Sequence, residues 1–313
     1  MTDPSAGGAR MPLVALTGAT GFIGRFLLRE LPKRGYRVRV LLRRPVELPL
    51  DCASAVIGDL ARPQNLSAAL ADADAVIHTA GIAHAMSGVP ADDYRLLNTE
   101  ATIRLAEAAA HARVRRFVFL SSVRAQSGPA AEGTLTEARA PEPTDDYGRS
   151  KLAAERGIAA LDIDWVALRL VLAYGPGVTG NMARLMNLAR SRLPLPLGAL
   201  SAPRSILSLD NLAAAIGCVL AQPAPLRRPL LVADREPLTV PQMIAAMRRG
   251  LGRRAGIFPV PCALLAGALR WSGQHELYER LAAPLVVDTA ALARLGWTPP
   301  LTSRQGLARL MQA

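Results

Sequence analysis

Lysine is almost missing from this chain. Of its 37 Lys and Arg residues, only Lys33 and Lys151 are lysine, so nearly every fixed cation is a guanidinium. Aromatic residues are also scarce, at 4% of 313. Sites for RNA or single-stranded DNA combine a basic groove with aromatic platforms. The arginines here are scattered with no long basic run, so a formal net charge of +12 does not imply a nucleic-acid partner. It suits a basic surface around an anionic small molecule, on top of an Arg-rich compositional bias. The three cysteines, Cys52, Cys218 and Cys262, are far apart and odd in number. They form neither a disulfide framework nor a metal-ligand spacing, and they fit a reduced cytoplasmic protein. No apolar run reaches the length of a membrane span, so no membrane partner is expected. Residues 1–10 lack an apolar h-region and read as a disordered leader, not a secretory signal.

What is present is ample apolar material, 50% of the chain, enough for a large core in more than one lobe. Leu13 to Thr17 is a short apolar run, followed by Gly18-Ala-Thr20-Gly21-Phe22-Ile23-Gly24 opening a helical pattern through Lys33. Strand, glycine turn and helix make a phosphate cradle of the dinucleotide-binding type. Gly18 permits the tight turn, Gly21 lets backbone approach a pyrophosphate, and Gly24 lets helix and strand pack closely. The helix N-terminus then offers free N–H groups to the phosphates. A second strand, Arg37 to Leu42, ends in Arg43-Arg44. An acidic residue there would bind the ribose 2′-hydroxyl of NAD, whereas arginine suits the 2′-phosphate of NADP. Two solvated loop arginines are the plainer alternative.

Further strands are expected at Ala55–Leu60, with Asp59 at its end in reach of an adenine, and at Ala75–His78. The latter ends in Thr79-Ala80-Gly81, small enough to let a cofactor lie close. His78 reads as a packed strand histidine, and His84 as a residue at the substrate mouth. A helix from about Ala91 to Ala112 precedes a strand from Arg116 to Ser121-Ser122, whose two hydroxyls stand at the carboxyl end where ligands of open parallel sheets bind. The segment from Gln126 to Pro143 reads as loop. Trp165–Leu172 is strand six. These alternations predict a doubly wound parallel α/β sheet over residues 11–173. Residues 174–313 are proline-studded and read mainly as a smaller substrate-binding lobe, with helices near Leu209–Ala221, Val240–Leu251 and Pro261–Leu269. A strand near Pro229–Ala233 is expected to return to the sheet.

Tyr147-Gly-Arg-Ser-Lys151 opens another helical pattern. Residues i and i+4 share a helix face, so the phenol and the ammonium project side by side. A nearby cation favours the phenolate and should lower the tyrosine pKa. Such a tyrosine can give or take the proton while a carbonyl and an alcohol interconvert. Most tyrosines and lysines four apart are surface neighbours, but a lysine kept at this spacing in an arginine-writing chain suggests a task for a compact point charge.

Together these marks resemble the extended short-chain dehydrogenase/reductase family, in its nucleotide-sugar epimerase and dehydratase branch. The resemblance rests on Thr17-Gly18-x-x-Gly21-x-x-Gly24, Gly58-Asp59-Leu60, His78-Thr79-Ala80-Gly81, Asn98, Ser121-Ser122 and Tyr147-x-x-x-Lys151. It continues in Arg169, Tyr174-Gly-Pro-Gly177, Gly180-Asn181, and Arg204 before Leu209-Asp210-Asn211. It implies that NAD or NADP binds along the first-half motifs, Leu60 and Asn98 included. It also implies that Tyr147 is the acid/base, that Lys151 binds the nicotinamide ribose and polarises Tyr147, and that Ser122 bonds the reacting oxygen, with Ser121 as fallback. Asn181 and Arg204 would contact the nucleotide diphosphate. No metal is implied, and a homodimer built on the helices around Thr99–Ala112 and Tyr147–Ala160 is. Two departures stand out. Val123-Arg124 replaces the Asp-Glu pair of the sugar dehydratases, and Ser122-Val-Arg-Ala lacks the tyrosine that many members carry there. Hydride transfer at carbon 4 of a nucleotide sugar is therefore expected, by an NAD-dependent epimerase or an NADPH-dependent 4-keto reductase. A carbonyl reductase of another substrate and a non-catalytic NAD(P) sensor are the alternatives.

Overall fold

A computed structural model describes residues 10–48, 52–82, 88–271 and 283–312. Strand β1 (Leu13–Thr17) is buried along its length. It pairs in parallel with β2 (Arg37–Leu42) on one side and β4 (Ala75–His78) on the other. β3 (Ala53–Val56) extends the β2 edge, β5 (Arg116–Ser122) and β7 (Trp165–Leu170) extend the β4 edge, and β10 (Arg228–Val232) closes it. The order is β10-β7-β5-β4-β1-β2-β3, all parallel. The chain reverses its direction of travel across the sheet between β1 and β4, and ligands of such sheets bind beyond the carboxyl ends at that point.

Side-chain alternation divides the core into two layers. Val14 and Leu16 face the helices Phe22–Lys33 (α1) and Leu209–Ala221 (α7). Ala15, Phe117 and Phe119 face Ala101–His111 (α4) and Asp146–Ala159 (α5). In α1, Leu27, Leu28 and Leu31 are fully buried, each burial worth about 2 kcal/mol against exposure. A third core, around Tyr174, Met182, Met243 and Leu307, belongs to the lobe built from Gly180–Arg190 (α6), Val240–Gly250 (α8) and the C-terminal helix Ser303–Leu310.

Several boundaries differ from the sequence expectation. The third strand stops at Val56, because Gly58 at φ +73° turns the chain out of the sheet. The helix expected over 91–112 is interrupted by a π-helical segment, Arg95–Glu100. Strand six splits into β7 and β8 (Leu172–Tyr174), and β8 pairs with β9 (Ile206–Ser208) outside the main sheet. The 126–143 loop contains a short strand, Thr134–Leu135 (β6), which pairs in parallel with Val286–Val287 (β11). Residues 1–9 of the expected leader lie outside the described residues, whereas Arg10 is paired with Asp74 at 3.1 Å.

Candidate active site

The glycine turn sits at the carboxyl end of β1. Gly18 has φ +69°, and a β-carbon there would stand 2.4 Å from Thr79 Oγ1. A β-carbon on Gly24 would stand 2.1 Å from the Gly18 carbonyl oxygen, so the first turn of α1 packs against the strand only with glycine there. Thr20 and Gly21 are exposed, while Phe22 and Ile23 are half-buried. The N-terminus of α1 has no side-chain cap and no acid in its first turn. Its free N–H groups and positive dipole end suit an anionic phosphate, so the cradle fits a dinucleotide.

The other residues expected to bind the cofactor line the same edge. Thr79 Oγ1 donates to the Thr17 carbonyl at 2.7 Å. Thr79 and Ala80 are half-buried, and Gly81 is exposed with φ +154°. Asn98 is wholly buried on the π-helical segment and staples the edge together. Its Oδ1 accepts from Ile82 N at 2.8 Å, and its Nδ2 donates to the Ile82 carbonyl at 3.1 Å and to Ser150 Oγ at 3.2 Å. Its amide thus shapes the site through other groups. Asp59 is exposed and closes a turn on Ala61 N, Leu60 is half-buried beside it, and Arg43 and Arg44 are exposed beyond the end of β2. His84 lies outside the described residues.

Tyr147 and Lys151 stand on the first turns of α5, whose cap Asp145 accepts from Gly148 N at 2.6 Å. The Lys151 Nζ lies 6.0 Å from the Tyr147 ring centre and 4.6 Å from that of Phe119, and donates to the Leu120 carbonyl at 3.0 Å. The Ser122 hydroxyl accepts from Arg124 N at 3.2 Å and lies close enough to the Tyr147 phenol to lower its pKa. Ser122, Tyr147 and Lys151 therefore meet at the carboxyl end of β5. Ser121 does not join them. Strand alternation turns it to the α5 layer with Phe117 and Phe119, and its hydroxyl donates to Glu155 at 2.5 Å.

The expected lowering of the tyrosine pKa is not what this arrangement gives. Burial pushes the Tyr147 phenol up to about 12, opposed by the Ser122 hydroxyl and by Arg124 and reinforced by Asp145 and Tyr94. The ammonium is shifted too, with burial bringing Lys151 down to about 8 and Glu155 opposing that. Removing both groups from water outweighs the pairing of phenol and ammonium that the spacing alone suggests.

His78 is buried, with its ring between Thr17 Oγ1 (2.7 Å) and Thr102 Oγ1 (2.9 Å), a packed strand residue as its sequence context implies. Asn181 is exposed at the start of α6. Arg204 is half-buried and donates to the carbonyls of Pro129 (3.1 Å) and Ala283. Burial, and behind it the charge of Arg124, lowers the Arg204 pKa.

Three residues here escaped the sequence reading. Arg124, on the 3₁₀ turn Val123–Ala125, pairs with Asp145, and its buried Nε has no hydrogen-bond partner among the described residues. Glu155 lies one turn beyond Lys151 and joins Ser121 to Arg169. Tyr94 stands edge-on to Tyr147 at 6.1 Å. Glu155 continues the four-residue spacing of Tyr147 and Lys151, a signal the sequence did offer.

Comparison with known proteins identifies the family. The model of the NAD dependent epimerase/dehydratase family matches residues 14–231. The chain is 33% identical to a UDP-glucose 4-epimerase of Vibrio cholerae, over 98% of this chain and 97% of that protein. It is 30% identical to a ceramide reductase of Caulobacter vibrioides, over 83% and 78%. Among solved structures, MoeE5 in complex with UDP-glucose and NAD superposes with a TM-score of 0.73 at 27% identity, covering 96% of this chain and 97% of that one. With cradle, Tyr-Lys pair and sheet order in place, the chain belongs to the NAD dependent epimerase/dehydratase family and is an NAD(P)-dependent enzyme of the extended short-chain dehydrogenase/reductase type.

Proposed function

We propose that this protein exchanges hydride at carbon 4 of the sugar of a nucleotide sugar, as a 4-epimerase. The observation that carries the reading is the meeting of Ser122, Tyr147 and Lys151 beside the glycine cradle. The bound dinucleotide supplies the hydride acceptor and donor. As phenolate, a form that the positive charges of Lys151 and of an oxidised nicotinamide would favour against the burial that raises its pKa, Tyr147 would take the hydroxyl proton as the carbon–hydrogen bond gives up its hydride and a ketone forms. It returns that proton to the ketone oxygen when hydride comes back to the opposite face. Ser122 holds the same oxygen through both halves. Lys151 supplies positive charge next to the phenolate and an ammonium for the nicotinamide ribose.

Support for a nucleotide diphosphate comes from the half-buried guanidinium of Arg204, the nearby Arg124 with its unpartnered Nε, and Asn181 at a helix start. Two guanidiniums whose charges act on each other favour an anion between them. The 33% identity to a UDP-glucose 4-epimerase favours epimerisation. A second reading, a 4-keto reductase using NADPH, rests on Arg43 and Arg44 directly at the end of β2, the place where an acidic residue would hold a 2′-hydroxyl.

The test is to denature the purified protein, identify any released dinucleotide by mass, and follow UDP-glucose and UDP-galactose interconversion. Stoichiometric NAD with interconversion supports the epimerase. A protein without dinucleotide that binds NADPH far more tightly than NADH and reduces 4-keto nucleotide sugars replaces it with the reductase. Tyr147→Phe should cut kcat by about 10²- to 10⁴-fold with nucleotide-sugar affinity retained. Activity that survives this substitution removes the acid/base role.

A further inference from the structure

The carboxylates are unevenly distributed. Residues 177–209 and 237–271 contain no Asp or Glu, yet carry Arg184, Arg190, Arg192 and Arg204 in the first stretch and Arg248, Arg249, Arg253, Arg254 and Arg270 in the second. The fold brings the two stretches together. Leu195 N donates to the Gly256 carbonyl at 2.9 Å, and Phe258 N donates to the Leu195 carbonyl at 3.0 Å. Arg253 Nη1 donates to the Arg190 carbonyl at 2.7 Å. Buried Arg248 binds them from beneath, donating to the carbonyls of Leu188, Ser191, Leu193, Ala255 and Gly256. The helix Cys262–Trp271 (α9) follows directly, its first residue touching the Ala199 carbonyl through Cys262 Sγ at 3.5 Å.

This face also holds the most exposed large apolar side chains among the described residues. Trp271 is 94% exposed, Leu193 70% and Leu264 66%, with Phe258 at 42%. Leu264 and Trp271 are seven apart and so share one side of α9, while Leu265 packs toward the core of the second lobe. Arg190, Arg192, Arg253 and Arg254 are all exposed on the two stretches that carry these side chains.

We propose that this face docks the protein on an anionic lipid bilayer. Leu193, Phe258, Leu264 and Trp271 enter the headgroup boundary, and the arginines meet lipid phosphates. Protruding aliphatic and indole side chains ringed by cations, with no carboxylate in either stretch, match the chemistry of an interfacial membrane contact. Phe258 and Trp271 could stack on bases, but the two most exposed aliphatic side chains, Leu193 and Leu264, would gain nothing from a nucleic acid and are satisfied only by an apolar medium. No described helix is long and apolar enough to cross a membrane, and surface docking needs none.

Vesicle flotation of the full-length protein provides the test, with pure phosphatidylcholine against vesicles containing about one-third phosphatidylglycerol. Binding to the anionic vesicles alone is expected, lost in high salt as the charges are screened. Trp165 and Trp297 are buried, so a blue shift of indole fluorescence on binding reports Trp271. Arg192→Glu/Arg253→Glu and Leu264→Glu/Trp271→Glu should each weaken partitioning at least tenfold, while turnover of a soluble substrate stays unchanged. Absence of binding to anionic vesicles overturns the proposal, as does binding by both variants that equals the parent's. So does a change from dimer to monomer in the Leu264/Trp271 variant without vesicles, or tight binding of RNA with none to vesicles.

Discussion

Glu155 and Arg169 face each other in the buried layer behind the active site, Nη2 to Oε2 at 2.6 Å, with both side chains about 4% exposed. Glu155 also takes the Ser121 hydroxyl and opposes the burial-driven fall of the Lys151 pKa. Glu155→Gln should therefore push Lys151 further below about 8. If charged Lys151 serves the reaction, the alkaline fall of kcat moves to lower pH, and a kcat–pH profile measures it. The variant should also lose about 3 kcal/mol of stability, because Arg169 keeps a buried charge without its counter-ion. An alkaline limb that stays in place would show that Glu155 serves packing alone.

The glycine inside Tyr147-Gly-Arg-Ser-Lys151 has a steric reason. A β-carbon on Gly148 would stand 2.2 Å from the Arg124 carbonyl oxygen, so α5 touches the 3₁₀ turn backbone to backbone. Gly148→Ala should separate the elements that carry Tyr147 and Ser122, lower kcat at least tenfold, and cost about 1–3 kcal/mol. Gly157→Ala is the control. Its β-carbon would meet the Ile103 side chain, Cδ1 at 2.2 Å and Cγ1 at 2.5 Å, and not a backbone. It should cost stability and spare kcat. Equal kcat losses in the two variants would remove the positioning argument.

These contacts mark where sequence legibility stopped. The cradle, the Tyr147–Lys151 pair and the central strands are written in local spacing, because glycine turns, four-residue helix spacing and apolar runs are properties of short segments. The commitment of Ser121 to Glu155 is not, since it depends on which face of β5 meets α5, a matter of sheet register. Arg124 looked like a mere departure from a dehydratase pattern. Its place beside Arg204 and Tyr147 exists only once the 3₁₀ turn is folded against α5. The pKa expectation for Tyr147 failed for the same reason, because spacing states which charges are near and says nothing of how much water is lost.

Lys151 should limit stability while serving chemistry. Its pKa falls from an ordinary 10.5 to about 8 through burial, so below pH 8 the fold holds a charged ammonium at a cost of about 3 kcal/mol. Lys151→Met removes that cost and forfeits the bond to the Leu120 carbonyl, leaving an expected net gain of about 1–2 kcal/mol at pH 7 with activity lost. The folded pKa lies below the unfolded one, so the fold sheds the proton between pH 8 and 10.5 and the gain vanishes as the pH rises through that range. Urea unfolding at pH 7 and pH 10 measures it. A variant less stable than the parent at pH 7 refutes the burial cost.

His78 sets an acid limit on the same sheet edge. Burial holds its pKa at about 3 against an ordinary 6.5, with the ring neutral between two threonine hydroxyls. The unfolded chain takes up a proton below pH 6.5 that the folded chain refuses until about pH 3. Folding stability should therefore fall on acidification through that window, by up to about 1.4 kcal/mol per pH unit from this group. His78→Gln keeps a neutral hydrogen-bonding side chain and removes the titration. The parent should exceed the variant in unfolding free energy at pH 7, and the difference should shrink steadily toward pH 4. Parallel curves would mean that His78 is not held neutral. Thr17 Oγ1, which bonds His78, also receives Thr79 N at 3.2 Å, so loosening this histidine disturbs the carboxyl ends of β1 and β4 together. Because the folded ring stays neutral down to about pH 3, dinucleotide affinity of the folded parent should stay level over the window in which its stability falls.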